Sequence, residues 1–154
     1  MGRKGKVLQE IRCSKAVSEY LTPMGADVHT WKVGRANAAI KLREIDGEWG
    51  GELAGHYYFK DFFYSDSGLL ASLLVLRVIA NLKKKGITFS QAISKIRKYE
   101  NSGEINFCLD DKKGAMDRLK EYYSAKETPV AFMDFDGYRL DFPQWWFNIR
   151  PSNT

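Results

Sequence analysis

The sequence has 154 residues, 44% apolar and 14% aromatic, and its 24 basic and 19 acidic residues give a net charge of +5. This composition supports one large or two small globular domains and excludes a disordered chain. No apolar run approaches the roughly 20 residues that span a bilayer, and the segment after the basic MGRKGK is too polar for a signal peptide, so neither insertion nor secretion is predicted.

The first half of the chain alternates strand and helix signals. A strand pattern in KVLQEIR precedes Ser14, a good N-cap residue for a helix over KAVSEYLTPM. DVHTWKV then predicts a strand, ANAAIKLREI a helix, and residues 47–64 further extended chain. This βαβαβ order predicts an α/β domain of βαβ type, with a mixed but mostly parallel sheet.

A long apolar helix is predicted after this sheet. It begins after Ser67 and ends at Gly86, with lysines in its last turn. Because its apolar residues lie nearly all round, we expect it to be buried against the sheet.

The second half has a different pattern. Thr88 begins a short amphipathic helix, and residues 100–111 are predicted to be a loop that enters a strand. A helix follows, and then three strand-like runs, the first two joined by Asp136-Gly137, a strong hairpin signal. We therefore predict two domains, an α/β domain over 1–88 and a small α+β domain with an antiparallel sheet over 89–154.

The two cysteines, Cys13 and Cys108, lie far apart in alternating apolar segments. We expect two reduced, packed thiols in a cytoplasmic protein. With no Cys-x-x-Cys pair and only His29 and His56 as imidazoles, no metal site is predicted. The basic residues are dispersed apart from NLKKKG and DDKKG, without the aromatic interleaving of single-strand binders, so no nucleic-acid partner is predicted.

Cationic side chains follow the second predicted strand in WKVGR, where Lys32 and Arg35 flank Gly34. Ligands of open α/β sheets bind outside the carboxyl ends of the strands, and Gly34 lets the backbone approach closely. A ligand-facing pair is one interpretation, and two solvated cations beside a turn are the other.

A glycine-rich loop, GGELAGH, surrounds a single carboxylate. Glu52 could accept hydrogen bonds from adjacent hydroxyls of a polyol, with His56 nearby as a donor. A turn with a surface Glu is the alternative interpretation.

The last five residues, RPSNT, carry phosphate-binding chemistry. Arg150 can bind phosphate bidentately, Ser152 and Thr154 offer hydroxyls, and Asn153 offers an amide. A turn after Pro151 could also aim successive N–H groups at an anion. The alternative is an ordinary polar chain end.

Together GGELAGHYYF, WKVGR and RPSNT resemble motifs of the α-D-phosphohexomutases, the phosphomannomutases and phosphoglucomutases. The resemblance extends from VLQEIRCSKAV over essentially the whole chain. It implies a four-domain enzyme of which this chain is domain three, the α/β unit, and most of domain four. Leu53 resembles the mannose/glucose branch better than the Gln typical of phosphoglucosamine mutases.

The resemblance also implies roles for single residues. Glu52 would contact the sugar hydroxyls, His56 would support that loop, and Lys32 would face the substrate. The non-reacting phosphate would be bound by the terminal loop, Arg150, Ser152, Asn153 and Thr154.

Two positions depart from the family pattern. Ala54 stands where the family usually has Ser, which removes a hydroxyl contact. Arg35 stands where His is common, and we expect its permanent charge to favour a phosphate contact.

The family's phosphoserine in domain one and its Asp-rich Mg²⁺ loop in domain two have no counterpart in the sequence. The implied reaction passes a phosphoryl group from phosphoserine to a hexose phosphate and back through a hexose 1,6-bisphosphate, with Mg²⁺ neutralising charge. The chain would then be a fragment, inactive alone, whose partners are hexose phosphate and the N-terminal domains of the same protein. The family pattern also implies a closing strand and helix after Thr154.

Two hypotheses about function follow. The first is the substrate-recognition half of a mutase that interconverts hexose 6-phosphate and hexose 1-phosphate. The second is a stand-alone sugar-phosphate-binding module without catalysis.

Overall fold

The computed structural model describes residues 5–151, and the chain divides into two compact units between Tyr99 and Glu100. The strands of the first unit are β1 (Lys6–Glu10), β2 (Asp27–Trp31), β3 (Trp49–Gly51), β4 (Tyr57–Phe59) and β5 (Ser65–Asp66). Its helices are α1 (Lys15–Leu21), α2 (Arg35–Glu44), α3 (Gly68–Lys84) and α4 (Phe89–Ser94).

The first unit contains a mixed sheet with the strand order β2-β1-β3-β4-β5. β1 pairs in parallel with both β2 and β3, whereas β4 pairs antiparallel with β3 and β5. Parallel strands need a crossover of about a dozen residues or more, and only residues 52–56 connect β3 to β4, so these two strands form a hairpin. The predicted α/β fold with a mixed sheet is confirmed.

The core of the first unit lies where α2 packs on the sheet. Five buried residues form it, namely Leu8, Ala38, Leu42, Ile45 and Tyr58, with Trp31 and Tyr64 packed against them. Because α2 follows β2 and crosses β1 before β3 begins, its apolar residues reach the middle of the sheet.

Three helices begin as the sequence predicts. The Ser14 hydroxyl accepts a hydrogen bond from the Ala16 N–H, and the Ser67 hydroxyl accepts one from the Leu70 N–H. Thr88 forms a capping box with Gln91 at the start of α4. Each side chain satisfies a backbone donor that has no partner within its helix.

The predicted burial of α3 is wrong, since Ala71 is its only buried residue. Leu69, Leu73 and Leu76 are 76%, 57% and 59% exposed. Apolar residues all round a helix predict burial, but they do not specify which element covers it. No helix in the described part of the chain is long and apolar enough to cross a membrane.

The chain turns sharply after β4 at Phe63 and Tyr64, which both have a φ of 56°. Two contacts secure this turn. The Arg43 guanidinium donates to the Phe63 carbonyl oxygen at 2.8 Å, and the Tyr64 hydroxyl donates to Asp46 at 2.8 Å. The Phe63 side chain itself is 78% exposed.

The second unit contains α5 (Lys112–Lys126), β6 (Ala131–Met133), β7 (Tyr138–Asp141) and β8 (Trp146–Ile149). The strands form an antiparallel sheet in the order β6-β7-β8, as predicted, and residues 134–137 make the β6–β7 turn. An aromatic cluster packs α5 on this sheet, and its members are Tyr123, Phe142, Trp145 and Phe147.

Two predictions for the second unit and the cysteines are wrong. Residues 100–110 are exposed and form no strand, although Ile105, Phe107 and Leu109 alternate as in a strand. An isolated segment cannot satisfy its backbone groups as a strand without a neighbour. Cys13 is packed, as predicted, but Cys108 is exposed.

We expect hydrogen exchange to be slower in the first unit than in the second. β1 is paired on both sides, whereas β8 is an edge strand of a three-stranded sheet. Amides near Leu8, in the central part of its sheet, should be well protected, and those over 100–110 and 144–151 should exchange quickly. Equal protection of both sets in a monomeric sample would contradict this expectation.

Candidate functional site

The sheet topology places chemically active residues at one edge of the first unit. Because β1, β2 and β3 are parallel, Arg12, Lys32 and Glu52 follow strand ends on the same side of the sheet. β5 runs in the same direction as β3, so Asp66 also ends at this edge. The predicted Lys32, Arg35, Glu52 and His56 therefore come from the same edge, which we call the carboxyl edge.

Glu10, at the end of β1, organises this edge and was not predicted from the sequence. It is 2% exposed, and its carboxylate accepts hydrogen bonds from the Arg12 side chain and from the Arg12 N–H at 3.0 Å. The same carboxylate accepts the Leu53 N–H at 3.1 Å. One buried charge thus orients a cation and secures the glycine-rich loop.

Glu52 lies in that loop as a buried carboxylate. Tyr58 donates its hydroxyl hydrogen to Glu52 at 2.7 Å, and no other side-chain hydrogen bond to Glu52 occurs among residues 5–151. Burial, together with the hydrogen bond and the charge of Glu52, raises the pKa of Tyr58, which therefore stays a donor. The remaining lone pairs of the Glu52 carboxylate can accept hydrogen bonds from hydroxyl groups.

His56 closes the loop and is oriented by Asp66. The His56 Nδ1 lies 2.6 Å from an Asp66 oxygen, and the other Asp66 oxygen accepts the Tyr57 N–H at 3.0 Å. Burial raises the pKa of Asp66, but the hydrogen bonds from His56 and Tyr57 outweigh it, so this pKa lies below its ordinary value. An ionised Asp66 favours the proton on Nδ1, which leaves Nε2 as an acceptor in the neutral ring.

Lys32 and Arg35 flank the start of α2 at the carboxyl edge. Lys32 is half-buried, whereas Arg35 is exposed and its charge also lowers the pKa of Asp66. Gly34 has a φ of 113° and no side chain that could cap α2. The first backbone N–H groups of α2 therefore have no capping side chain. Together with the Lys32 and Arg35 cations, they favour anion binding at this end of α2.

In the second unit, Arg150 follows β8 and contacts the β6–β7 turn. Its Nη2 lies 3.6 Å from Asp136, and its Nε is buried without a hydrogen-bond partner in the described chain. Gly137 has a φ of 74°, and a Cβ there would lie 2.5 Å from the Arg150 Cβ. The turn therefore needs glycine to bring its backbone against Arg150.

A depression of about 340 Å³ lies beside this turn. Its lining residues are Lys112, Lys113, Met116, Asp134, Gly137, Tyr138 and Pro151. The predicted phosphate-binding residues Ser152, Asn153 and Thr154 lie outside the described residues.

Sequence reasoning missed Glu10, Arg12 and Asp66. Arg12 could have been predicted, because it follows the first predicted strand as Lys32 follows the second. Glu10 and Asp66 are recognisable only through their partners, which lie 43 and 10 residues away in the chain.

The described residues contain no group of three or more His, Cys, Asp or Glu side chains that could hold a metal ion. The Mg²⁺ implied by the resemblance therefore has no ligand set within residues 5–151.

The fold and this edge define an α/β protein that gathers charged side chains at the carboxyl ends of parallel strands, the place where open α/β sheets bind ligands. Residues 1–99 match the family model of the phosphoglucomutase/phosphomannomutase alpha/beta/alpha domain III, and the chain belongs to this family.

Similar proteins cover nearly the whole chain. The phosphomannomutase of Methanocaldococcus jannaschii is 36% identical over 149 residues, which are 97% of this chain and 32% of that protein. The phosphomannomutase of Vibrio cholerae is 34% identical over 150 residues, again 97% of this chain and 32% of the relative. The chain thus spans about a third of these relatives' length.

A crystal structure shares the fold. It is a phosphoglucomutase/phosphomannomutase family protein from Burkholderia thailandensis, with a TM-score of 0.69 and 22% identity. The match covers 97% of this chain and 31% of that protein.

We expect Gly137→Ala to destabilise the second unit by about 2–4 kcal/mol, because it adds left-handed strain and a collision with Arg150. Gly103→Ala is the matched control, since Gly103 has the same φ of 74° and nothing within 4 Å of its Cβ. The control should cost about 1 kcal/mol. Urea unfolding followed by NMR signals of the second unit measures both, and equal costs would contradict the close approach.

We expect Asp66→Asn to lower the unfolding free energy by roughly 1–2 kcal/mol at neutral pH. Because the folded pKa of Asp66 is depressed, its stabilisation is present above the ordinary pKa of about 3.9 and is lost as the pH falls through the folded pKa. The difference from wild type should therefore shrink in acid. Asp27→Asn is the control, because Asp27 also binds a histidine but is exposed. A difference that persists unchanged below pH ~2 would contradict the ionic interaction.

Proposed function

We propose that this chain is the substrate-recognition part of a phosphohexomutase that interconverts hexose 6-phosphate and hexose 1-phosphate, with mannose or glucose as the sugar. The convergence of Arg12, Lys32, Arg35 and Glu52 at the carboxyl edge carries this proposal. The similar proteins from Methanocaldococcus jannaschii and Vibrio cholerae are phosphomannomutases, which supports it.

In this proposal each group has a separate task. Glu52 accepts hydrogen bonds from adjacent hydroxyls of the hexose, and Tyr58 keeps its carboxylate in place. His56 supports the loop through Asp66 and offers Nε2 to the ligand. Arg12 and Lys32 bind phosphate oxygens, with Arg12 aimed by Glu10.

Arg35, which stands where the family pattern commonly has His, fits this division of tasks. A guanidinium at the start of α2 adds a permanent positive charge where the helix already attracts anions. The departure at Ala54 leaves an exposed methyl group in the loop, so we assign no contact with the sugar to it.

The second unit would hold the phosphate that does not react. Arg150 already has one carboxylate contact, and its buried Nε offers a further donor to an oxyanion. Ser152, Asn153 and Thr154 complete this proposed loop. A mutase binds its substrate in two orientations, and a clamp that recognises phosphate and paired hydroxyls suits both.

The residues that transfer the phosphoryl group would lie elsewhere in a longer protein. We propose that a phosphoserine of N-terminal mutase domains transfers the phosphoryl group, with hexose 1,6-bisphosphate as the intermediate, and that Mg²⁺ neutralises charge when bound there. The present chain would then bind and orient the sugar without turning it over. We also propose a cytoplasmic location, where hexose phosphates occur with reduced thiols.

Binding and turnover by the 154-residue chain test this function. We expect glucose 1-phosphate or mannose 1-phosphate to bind with about millimolar affinity, or roughly 4 kcal/mol, by NMR titration. Arg35→Gln, Glu52→Gln and Arg150→Gln should each weaken binding. Arg43→Gln is the control for charge, because Arg43 lies at the other end of α2.

The same chain should not interconvert mannose 6-phosphate and mannose 1-phosphate, even with Mg²⁺ and glucose 1,6-bisphosphate. Turnover that is lost in Glu52→Ala would contradict the proposed division of tasks. Binding that none of the three substitutions weakens would contradict the assigned site.

A further inference from the structure

The Glu10 carboxylate contacts both halves of the candidate site. Its Oε1 accepts the Leu53 N–H and the Arg12 Nε–H, each at 3.1 Å. Its Oε2 accepts the Arg12 backbone N–H and the Arg12 Nε–H, each at 3.0 Å. The oxygen that anchors the loop is thus also an oxygen that holds the guanidinium. Because Glu10 is 2% exposed, water has little access to replace a partner that it loses.

The anchored N–H belongs to the peptide unit that joins Glu52 to Leu53. The other side of this unit is held too, since the Glu52 carbonyl oxygen accepts the Gly55 N–H at 3.0 Å. A peptide unit is planar and moves as one body, so a shift of the Leu53 N–H also moves the Glu52 Cα. The position of the Glu52 carboxylate therefore depends on this anchor as well as on Tyr58.

Arg12 can hold Glu10 and a ligand at the same time. Its side chain donates to Glu10 through Nε, and its two terminal nitrogens donate no hydrogen bond within residues 5–151. The Arg12 side chain is 22% exposed, so an anion can reach these nitrogens from solvent. A guanidinium presents its donors in a rigid planar fork, so an anion on the terminal nitrogens also fixes the Nε that faces Glu10.

We propose that Glu10 is a positioning residue that couples phosphate binding at Arg12 to hydroxyl binding at Glu52. The inference rests on the proposed function and deepens it. A phosphate that fixes Arg12 keeps the Glu10 carboxylate paired, and a paired Glu10 holds the loop in the form that accepts hydroxyls. Coupling of this kind is reciprocal, so hydroxyls on Glu52 tighten the phosphate contact by the same factor.

The charges around Glu10 favour this indirect role over a direct contact with the ligand. A carboxylate and a phosphate monoester are both anions and repel each other. The register of β1 with β3, in which Gln9 lies opposite Gly51, also places Glu52 next to Glu10. Two neighbouring carboxylates disfavour an anion unless a cation is fixed beside them, and Arg12 is the cation that Glu10 fixes.

Hydrogen exchange of single amides in the 154-residue chain tests the coupling, with methyl phosphate as the probe. Methyl phosphate is a phosphate monoester without hydroxyl groups, so it can act on the loop only through its phosphate. We expect it to slow exchange of the Leu53 amide at least about threefold, relative to sodium chloride of equal ionic strength. The Tyr57 amide, which donates to Asp66, is the internal control and should not change.

Two variants break the coupling in different ways. In Glu10→Gln the charge that holds the guanidinium is lost, so methyl phosphate should no longer slow the Leu53 amide. In Arg12→Lys the positive charge stays, and we expect methyl phosphate to bind within about threefold of wild type. The freely rotating donors of an ammonium group carry no orientation from phosphate to Glu10, so the Leu53 response should be lost here too. Arg43→Lys, at the other end of α2, is the matched control and should keep it.

Affinity ratios distinguish a positioning residue from a structural one. By NMR titration, we expect wild type to bind glucose 1-phosphate at least about threefold more tightly than methyl phosphate. This ratio should fall towards one in Glu10→Gln, because the loop no longer responds to the phosphate. A general loss of structure would instead weaken the binding of both ligands alike. Glu10→Asp keeps a carboxylate at this position and should recover part of the ratio.

The outcomes separate this inference from the proposed function. A Leu53 amide that does not respond to methyl phosphate overturns the inference, even if glucose 1-phosphate binds through Glu52. A response that survives in Glu10→Gln or in Arg12→Lys overturns it as well. A response that depends on Glu10, in a chain that binds glucose 1-phosphate no more tightly than methyl phosphate, supports the inference and contradicts the proposed function. If Glu10→Gln does not fold, Arg12→Lys decides, because it leaves the buried carboxylate in place.

Discussion

The parallel pairing of β1 with both of its neighbours is the constraint on which the candidate site depends. Since β1, β2 and β3 run the same way, their last residues share one edge, and the chain must leave each strand there. Arg12, Lys32 and Glu52 reach this edge for that reason alone. Glu10 then adds the specific geometry, because its buried carboxylate connects the exit of β1 to the loop that follows β3.

Much of the fold could be predicted because its signals are local. Ser14, Ser67 and Thr88 satisfy N–H groups two or three residues away, so their roles as N-caps are readable from the sequence. The Asp136-Gly137 hairpin is local in the same sense. The candidate residues after β2 followed from a strand end, a rule that holds for any parallel sheet, whereas Glu52 followed from the glycines around it.

The features that could not be predicted from the sequence depend on partners that are distant in the chain. The buried Glu10 resembles any strand residue until Leu53 is brought beside it. The apolar character of α3 predicted burial, but it could not specify a covering surface, and only Ala71 is buried. The alternation of residues 105–109 likewise indicates a strand and cannot specify a neighbour for it.

The left-handed turn at Phe63 and Tyr64 has a consequence for engineering. A side chain in this conformation costs about 1–2 kcal/mol, whereas glycine adopts it freely. The extra freedom that glycine gives the unfolded chain costs about 0.4–1 kcal/mol, which is the smaller amount. Because Phe63 is 78% exposed and its carbonyl, not its ring, contacts Arg43, replacing it with glycine should make the first unit more heat-resistant.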